Sequence, residues 1–241
     1  MLSQDEEWCE VGVNGDRRRI RFHDYAAIYE IPGLYEHLFY EKLECNSPQT
    51  VTALLEDELA RSGTDPNSLA VLDLGAGNGM VGEQLRAIGA QSVVGVDLLP
   101  EAAAAAERDR PGVYDDYLVA DLTSLSRAER EALEQRSFTC LASVAALGFG
   151  DIPPEVLAAA WNVIQPGGWI ALTIKEDFLT TADPSGFDRL IRGMLDDGTL
   201  ELKTQHRYRH RLSCQGDAIY YTALIATKTG DAPLSTERRA P

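Results

Sequence analysis

Short apolar runs alternate with amphipathic segments along the chain from residue 69 to residue 174. The apolar runs predict buried strands over 69–74, 92–96, 117–120, 138–145 and 169–174. Between them, apolar residues three or four positions apart predict helices over 80–88, 100–108, 126–135 and 154–164. Regular alternation of strand and helix is typical of a parallel sheet with helices on both faces.

The pattern changes after residue 175. A helix is predicted over 187–195, and two longer strand-like segments, 200–212 and 218–227, are joined through Gly216. A terminal hairpin of this kind adds an antiparallel edge to a parallel sheet. The predicted fold class is therefore α/β, with a doubly wound, mostly parallel seven-stranded sheet and an antiparallel C-terminal edge hairpin. Residues 230–241 are expected to form a disordered tail.

An N-terminal β-hairpin and an aromatic helical lid are predicted over residues 1–66, and the core is predicted over residues 67–229. Strand-like segments 8–13 and 17–22 flank Asn14-Gly15, a strong hairpin-turn signal. Residues 23–43 are rich in aromatic side chains, and an amphipathic helix is predicted over 48–61. Three arginines share one face of the return strand: Arg17, Arg19 and Arg21. This face fits either a solvated hairpin surface or an anion-binding lid.

Composition narrows the class of protein. The chain has 241 residues and is 44% hydrophobic, which is enough for one filled core. It contains neither an apolar run long enough to span a bilayer nor a basic, then apolar leader, so we expect a cytoplasmic protein. Four cysteines without a CxxC pair favour reduced thiols over a metal site. The net charge of −16 disfavours nucleic acid as a partner. A monomer and a homodimer both remain open.

The candidate site begins at a glycine-rich turn after the first core strand. Residues 71–79 are VLDLGAGNG, in which glycine allows a tight turn and close approach of a ligand to the backbone. The dinucleotide-binding fingerprint GxGxxG would need a glycine where Met80 stands. The DxGxGxG pattern therefore argues against NAD and FAD.

Aspartates stand at the ends of three successive predicted strands, at positions 73, 97 and 121. Parallel strands end at one edge of the sheet, where open α/β sheets bind ligands. A carboxylate at Asp97 can accept both hydroxyls of a ribose, and the Asp121-Leu122 pair can meet an adenine edge. The alternative is that all three aspartates are helix caps.

These motifs together resemble the core of class I, Rossmann-like S-adenosylmethionine-dependent methyltransferases, and the chain is similar to a bacterial small-molecule group of undefined substrate. The matching stretches are VLDLGAGNG (71–79), VVGVDLLPE (93–101), VADL (119–122), FTCLASVAAL (138–147) and QPGGWIALTIK (165–175). The resemblance implies S-adenosylmethionine as cofactor and S-adenosylhomocysteine as product. It also implies that the methionine part lies among Asp73, Gly75, Ala76, Gly77, Asn78 and Gly79.

The same resemblance implies roles for the later motifs. Asp97 would hold the ribose, Leu98 would pack on the adenine, and Asp121 with Leu122 would meet the adenine edge. The methionine part and the acceptor pocket would be bordered by Val144 and Ala145. The segment HDYAAIYEIPGLYEHLFY is similar to a tyrosine-containing lid helix, in which Tyr25 or Tyr29 would cover the cofactor. Packing of these rings in the core is the alternative.

The methyl acceptor is not encoded in a recognisable motif. Residues 145–150 lack the [DNS]-P-P-[YFW] signature of amino-methylating nucleic-acid enzymes, and Asp151-Ile152-Pro153-Pro154 has the wrong order. Cys140 follows a threonine, unlike the Pro-Cys nucleophile of cytosine-carbon enzymes. We therefore expect in-line methyl transfer to an oxygen or nitrogen of a small molecule, with neither a nucleic acid nor a membrane as partner.

A phenol or alcohol would need a general base, whereas a neutral amine would not. Candidates for this role, each of which also fits a solvated residue, are His23, Tyr29, Glu30, His37, Glu176 and Asp177. The run His206–Arg211 is expected to place its histidines and Tyr208 on one strand face and its arginines on the other. A solvent-facing strand and a contact to an anionic substrate both fit this run.

Two other functions remain open. A cofactor-binding scaffold or regulatory protein without turnover would retain the same glycine turn. An NAD(P)-dependent oxidoreductase is disfavoured by Met80 and by the absence of a lysine four residues after Tyr25, Tyr29 or Tyr40.

Overall fold

The computed structural model of the chain describes residues 6–13, 15–148, 151–180 and 184–233. Several positions considered in the sequence lie outside the described residues: Asn14 of the hairpin turn, Phe149 and Gly150 after the fourth core strand, and 234–241 of the expected tail.

The central layer is a seven-stranded sheet, as the sequence predicts. Its strands stand in the order β5-β4-β3-β6-β7-β9-β8. The pairs from β5 to β7 are parallel, whereas β9 runs antiparallel to both β7 and β8. These strands are β3 (Ala70–Leu74), β4 (Ser92–Asp97), β5 (Asp116–Val119), β6 (Cys140–Ser143), β7 (Trp169–Lys175), β8 (Leu200–Leu212) and β9 (Ala218–Lys228).

Helices cover both faces of this sheet, so the fold is doubly wound. The helices are α1 (Tyr25–Tyr29), α2 (Ser47–Ser62), α3 (Met80–Ala87), α4 (Pro100–Asp109), α5 (Arg127–Glu134), α6 (Pro154–Asn162) and α7 (Phe187–Asp196). A π-helix spans Glu36–Lys42, and short 3-10 helices span Pro66–Ser68 and Glu176–Leu179. Local signals set the ends: Ser126 and Glu129 form a capping box before α5, and Gly63 ends α2 in the left-handed conformation.

Alternating side chains divide the core into two layers. In β3, Val71 faces the layer under α2 and α3, whereas Leu72 faces the layer under α5, α6 and α7. Both residues are fully buried. Burial on both faces explains why the central strands are continuous apolar runs.

The N-terminal residues form a small unit with its own core. Strands β1 (Trp8–Val13) and β2 (Asp16–Arg21) pair as an antiparallel hairpin. Ile20 and Phe22 pack with Ile28, Leu38 and other apolar residues of the lid. Backbone hydrogen bonds then join the lid to β8, from Asn46 to His210 and from Leu212 to Leu43.

The expected alternation along His206–Arg211 is wrong at its C-terminal end. The register between β8 and β9 shifts between Arg209 and Arg211, so the period of two is broken there. As a result His210 and Arg211 are both buried, whereas His206 is exposed. A solvent-facing strand therefore describes His206 and Arg207 but not His210 and Arg211. The contact of this run to an anionic substrate stays a prediction.

The first residues of the expected tail are packed on α6. Trp161 Nε1 donates to the Gly230 carbonyl at 2.9 Å, and Asn162 exchanges two hydrogen bonds with Ala232. Ala232 is 4% exposed. The prediction of disorder is therefore wrong for these residues, because the buried polar groups of α6 pair with their backbone. Within the described ranges, no helix has the length and apolar character to cross a membrane.

A buried ion pair fastens the N-terminal unit to the sheet. Glu7 Oε2 accepts from Arg211 at 2.6 Å, and Glu7 Oε1 accepts from the Cys214 backbone at 2.6 Å. Both side chains of the pair are at most 3% exposed. Removing one partner would leave the other as an uncompensated buried charge.

We expect Glu7→Gln to lower the free energy of unfolding by about 3–5 kcal/mol, as measured by urea denaturation. The matched control is Glu44→Gln, which breaks the exposed pair with Arg209 and should cost less than about 1 kcal/mol. Equal costs for the two variants would contradict a fastening role for Glu7.

Candidate functional site

A cavity of about 980 Å³ lies at the carboxyl ends of β3, β4 and β6, beneath the N-terminal lid. The order of strands reverses between β3 and β6, which is where open α/β sheets bind ligands. Many residues that the sequence assigned to the cofactor line it: Tyr25, Tyr29, Gly75, Ala76, Gly77, Asn78, Asp97, Leu98, Asp121, Val144 and Ala145. Asp73, Gly79 and Leu122 lie behind its wall.

The glycine turn comes into close contact with its surroundings. Gly75 and Gly77 have φ values of +74° and +53°, which side-chain-bearing residues rarely adopt. A Cβ on Gly77 would lie 2.5 Å from the Tyr29 hydroxyl, and one on Gly75 would lie 2.5 Å from Ala146 Cβ. Glycine is therefore required here for space as well as for conformation. Gly79, at φ +90°, begins α3.

Asp97 links the glycine turn to the next strand. Its Oδ2 accepts from the Gly77 backbone at 3.0 Å, and its Oδ1 accepts from the Leu99 backbone at 3.1 Å. Burial raises the pKa of this carboxyl, and the two backbone hydrogen bonds oppose the shift. An ionised carboxylate has about four lone-pair sites, so each oxygen retains capacity for a ligand hydroxyl.

Asp73 is buried directly behind the turn. Its Oδ2 accepts from the Tyr114 hydroxyl at 2.7 Å, whereas its Oδ1 has no hydrogen-bond partner. Burial raises the pKa of Asp73 to about 7, against the effect of the Tyr114 hydrogen bond. A cationic ligand group beside the turn would stabilise the charged form of this carboxyl.

Glu36, which no sequence motif indicated as a site residue, joins the lid to the turn. Its Oε1 accepts from Asn78 Nδ2 at 2.6 Å and from Arg110 at 2.7 Å. Asn78 is 1% exposed and also donates to Asp109 at 3.3 Å. Its own Oδ1 is buried without a partner. No local motif marks Glu36, because its partners lie 42 and 74 residues away in the chain.

Polar and apolar side chains separate in the segments that follow β4 and β5. Asp121 accepts from Thr123 and Ser124, and these hydrogen bonds, with Thr123 first, lower its pKa. Leu98 is 63% exposed although it is a large apolar residue, which suits a side chain that covers a ligand ring. The Leu122 side chain lies in the main core instead, at 2% exposure. Any adenine contact of Leu122 would have to come from its backbone.

Aromatic side chains form the roof of the cavity. The Tyr25 and Tyr29 rings are stacked at 6.2 Å, and Tyr35 lies 5.1 Å from Tyr29 and 4.8 Å from Phe39. Burial raises the pKa of Tyr29 well above its usual value of 10. Tyr29 therefore stays protonated and does not act as a general base. Its ring instead belongs both to the lid core and to the cavity wall.

The fourth core strand supplies the floor. Val144 and Ala145 follow β6, and Ala145 has the left-handed φ of +56° without being glycine. Its backbone N–H donates to Thr173 Oγ1 at 2.6 Å, which holds this conformation. Cys140, earlier in the strand, is fully buried, and burial raises its pKa to about 12, as suits an inert thiol.

Among the candidate bases, His23 borders the cavity. Glu30 is exposed, His37 pairs with Glu41 on the surface, and Glu176 pairs with Arg207. Asp177 likewise pairs with Lys175. None of these four lines the cavity.

The partners of His23 do not follow from local sequence patterns. The Nδ1 atom of His23 lies 3.5 Å from Asp151 Oδ2 and 3.5 Å from the Tyr25 hydroxyl, and both residues line the cavity. The available signal for Asp151 was the Asp-Ile-Pro-Pro stretch after β6. Within the described part of the chain, no group of three His, Cys, Asp or Glu side chains is arranged to hold a metal ion.

Comparisons with known proteins agree with this architecture. Residues 72–172 match a family model described as a methyltransferase domain. A ubiquinone biosynthesis O-methyltransferase of Xanthomonas axonopodis pv. citri is 28% identical over 156 residues, which cover 63% of this chain and 60% of that protein. One from Burkholderia thailandensis is 32% identical over 102 residues, 42% of this chain and 41% of that protein. The chain thus matches less than two thirds of the length of these curated relatives.

Solved structures share the fold at low identity. A protein of Thermoplasma acidophilum superposes with a TM-score of 0.54 and 16% identity, covering 86% of this chain and 96% of its own. The magnesium protoporphyrin IX methyltransferase of Synechocystis, solved with bound S-adenosylmethionine, gives a TM-score of 0.51 and 18% identity over 76% of this chain and 79% of its own.

The raised pKa of Asp73 predicts a pH-dependent cost of burial. The native carboxyl titrates near 7, against 3.8 for an unperturbed aspartate, so the folded state binds the extra proton between these values. The contribution of Asp73 to stability therefore falls as pH rises through this window. We expect Asp73→Asn to gain stability relative to the wild type from pH 5 to pH 8 in urea denaturation of the ligand-free protein.

The matched control is Asp121→Asn, because hydrogen bonds lower the pKa of Asp121 instead of raising it. Its difference from the wild type should stay level over the same pH range. A level difference for Asp73→Asn as well would show that the Asp73 carboxyl is ionised at neutral pH without penalty.

Proposed function

We propose that this chain, whose residues 72–172 match a methyltransferase domain, is a class I methyltransferase that transfers a methyl group from S-adenosylmethionine to an oxygen or nitrogen of a small molecule. The observation that carries the proposal is the single cavity wall shared by the glycine turn, Asp97 and the aromatic lid. Its volume of about 980 Å³ lies at the upper end of the range for ligand pockets, which leaves room for an acceptor beside the cofactor.

The residues fit the cofactor on two independent grounds. Asp73 Oδ1 and Asn78 Oδ1 are buried acceptors without partners beside the turn, which suits the ammonium of a methionine moiety. The second ground is Leu98, a large apolar side chain in the cavity wall that is 63% exposed, which suits a residue that covers a ligand ring. Asp97 would hold the ribose and Asp121 the adenine edge, with Leu98 against the ring.

When bound, S-adenosylmethionine supplies an activated methyl group on a sulfonium centre. The task of the protein is then to align the acceptor atom with that methyl in a site without water. Tyr25, Tyr29, Tyr35 and Phe39 would exclude water from above, and their faces suit a nearby cation. The closely packed rings fix the roof and so limit the orientations open to an acceptor.

Oxygen is the better-supported acceptor atom. The curated relatives are named O-methyltransferases, and an aromatic roof suits a small planar acceptor. A hydroxyl must lose its proton during transfer, and His23 is the cavity-lining residue suited to accept it. Asp151 would orient the His23 ring through Nδ1, so that Nε2 would face the acceptor. A neutral amine would need no such pair.

A cofactor-binding scaffold without turnover is the competing function. It would require the same glycine turn and Asp97, but not the His23–Asp151 pair in the acceptor part of the cavity. The charge of −16 makes a nucleic-acid substrate the weaker alternative for an active enzyme.

The first test is calorimetric titration of the protein with S-adenosylmethionine, S-adenosylhomocysteine and NAD. We expect micromolar binding of the two sulfur ligands and none of NAD, because Met80 replaces the third glycine of the dinucleotide fingerprint. Asp97→Ala should weaken binding at least about tenfold through loss of charge-assisted hydrogen bonds. The control Asp116→Ala alters a carboxylate on β5 that pairs with Arg136 outside the cavity.

Labelled methyl transfer to a panel of phenols, catechols and arylamines then separates enzyme from scaffold. Turnover that is lost in His23→Ala with phenols but retained with arylamines would support the general base. Binding of the cofactor with no product from any acceptor would favour the scaffold, and binding of NAD alone would overturn the methyltransferase proposal.

A further inference from the structure

The cavity extends past the cofactor region to the edge of β8, where His210 forms part of its wall. A second, small pocket of about 30 Å³ lies between His210, His23, Ala145 and Asp151, all of which also line the main cavity. This end therefore lies beside the floor of the acceptor region and the His23–Asp151 pair. His210 is 6% exposed, and its ring stacks on Tyr221 with the ring centroids 4.1 Å apart.

Two buried hydroxyl groups lie in a row beside His210. The Tyr208 hydroxyl is 2.6 Å from Ser47 Oγ, and Ser47 Oγ is 2.7 Å from His210 Nδ1. Each of these hydroxyl residues is at most 7% exposed.

The number of protons available sets the direction of these two hydrogen bonds. Among the hydrogen bonds of the described residues, the Tyr208 hydroxyl meets only Ser47 Oγ, so Tyr208 donates to Ser47. Ser47 then donates to His210 Nδ1. The opposite direction would leave the buried Tyr208 proton without an acceptor among the described residues, which is costly.

The thiol of Cys45 also lies near this point, with its Sγ 3.7 Å from His210 Nδ1. Sulfur is a weak acceptor, whereas an imidazole nitrogen is a strong one, so the Ser47 proton goes to the histidine. With Nδ1 accepting, the proton of the neutral ring must be on Nε2. Burial, with Arg211 contributing, lowers the pKa of His210 to about 3, so the ring is neutral at physiological pH.

We propose that His210 forms an acceptor-binding subsite, in which its Nε2–H donates a hydrogen bond to a carbonyl, carboxylate or phenolic oxygen of the methyl acceptor. This inference rests on the proposed function and adds to it the chemistry of one acceptor substituent. It also assigns different roles to the two histidines. His23 would accept a proton from the reacting hydroxyl, whereas His210 would hold the acceptor in place as a fixed donor.

The subsite makes the acceptor region selective. A buried donor that meets only hydrocarbon loses its hydrogen bond to water without replacement, which opposes binding of molecules without oxygen at this position. A planar molecule with two adjacent oxygens satisfies both histidines at once, one oxygen reacting and the other accepting from His210.

The tautomer can be tested without any acceptor, by NMR of the full chain labelled with ¹⁵N-histidine. We expect His210 to carry its proton on Nε2, with Nδ1 unprotonated, across the neutral pH range. The exposed His206 on the same strand is the control and should exchange between tautomers. Ser47→Ala, which removes the donor to Nδ1, should give a mixture of tautomers. A proton on Nδ1 of His210 in the wild type would overturn the proposal.

Binding is tested with catechol, phenol and benzoate as probes, and with o-xylene as a hydrocarbon of similar shape, all in the presence of S-adenosylhomocysteine. We expect at least one oxygen-bearing probe, and not o-xylene, to shift the His210 Nε2–H signal. His210→Leu should weaken binding of that probe about tenfold, His210→Gln should restore most of it, and affinity for S-adenosylhomocysteine should stay within about twofold.

Failure of all three oxygen-bearing probes to shift the signal, or equal binding of o-xylene, would overturn the subsite. Failure of S-adenosylhomocysteine to bind the wild type would instead overturn the proposed function, and the tautomer measurement would still decide the donor on its own. His206→Leu is the matched surface control for the histidine substitutions and should change neither affinity.

Discussion

The close approach of the lid to the glycine turn is the constraint on which the site depends. Gly77 has space for no side chain, because the Tyr29 hydroxyl lies 2.5 Å from the position that its Cβ would take. The same short turn is held by Asp97 through the Gly77 N–H and by Tyr117 through the Gly77 carbonyl. One backbone segment therefore positions the Asp97 carboxylate, the lid tyrosine and the mouth of the cavity together. A shift of the turn would move all three.

The lid is held to this turn by polar contacts and to the sheet by buried charge. Glu36 reaches Asn78 of the turn and Arg110 at the end of α4, and Glu7 reaches Arg211 of β8. Buried charges are expensive unless paired, so both contacts favour one docked arrangement over the alternatives. The N-terminal unit has a hydrophobic core of its own, and its placement over the cavity rests on these polar partners together with the apolar contact of Tyr29 with Ala102 and Ala105 of α4.

The parts of the site that could be predicted are those encoded locally. The turn at Gly75–Gly79 and the aspartate that ends β4 follow from strand ends and short motifs, and the alternating pattern predicted the sheet itself. Glu36, Asp151 and His210 could not be predicted in the same way. Their partners are distant in sequence, and the burial of His210 depends on a register shift in β8 that a period-two pattern does not contain. Asp151 stands in the Asp-Ile-Pro-Pro stretch, whose comparison with the motif of nucleic-acid enzymes gives no indication of the contact with His23.

The proposed cofactor site can therefore be predicted from the sequence more readily than the proposed acceptor site. The residues proposed to face the cofactor sit at the ends of consecutive strands, because one rigid sheet edge must present them to one ligand. The residues proposed to face the acceptor come from the lid, the loop after β6 and the bulged β8, which meet only in the folded chain. The hydrogen bonds from Tyr208 through Ser47 to His210 join β8 to the start of α2 beside the cavity wall. Under the proposed function, specificity for the acceptor therefore depends on the tertiary structure, and we expect changes in these segments to alter the acceptor without disturbing the glycine turn.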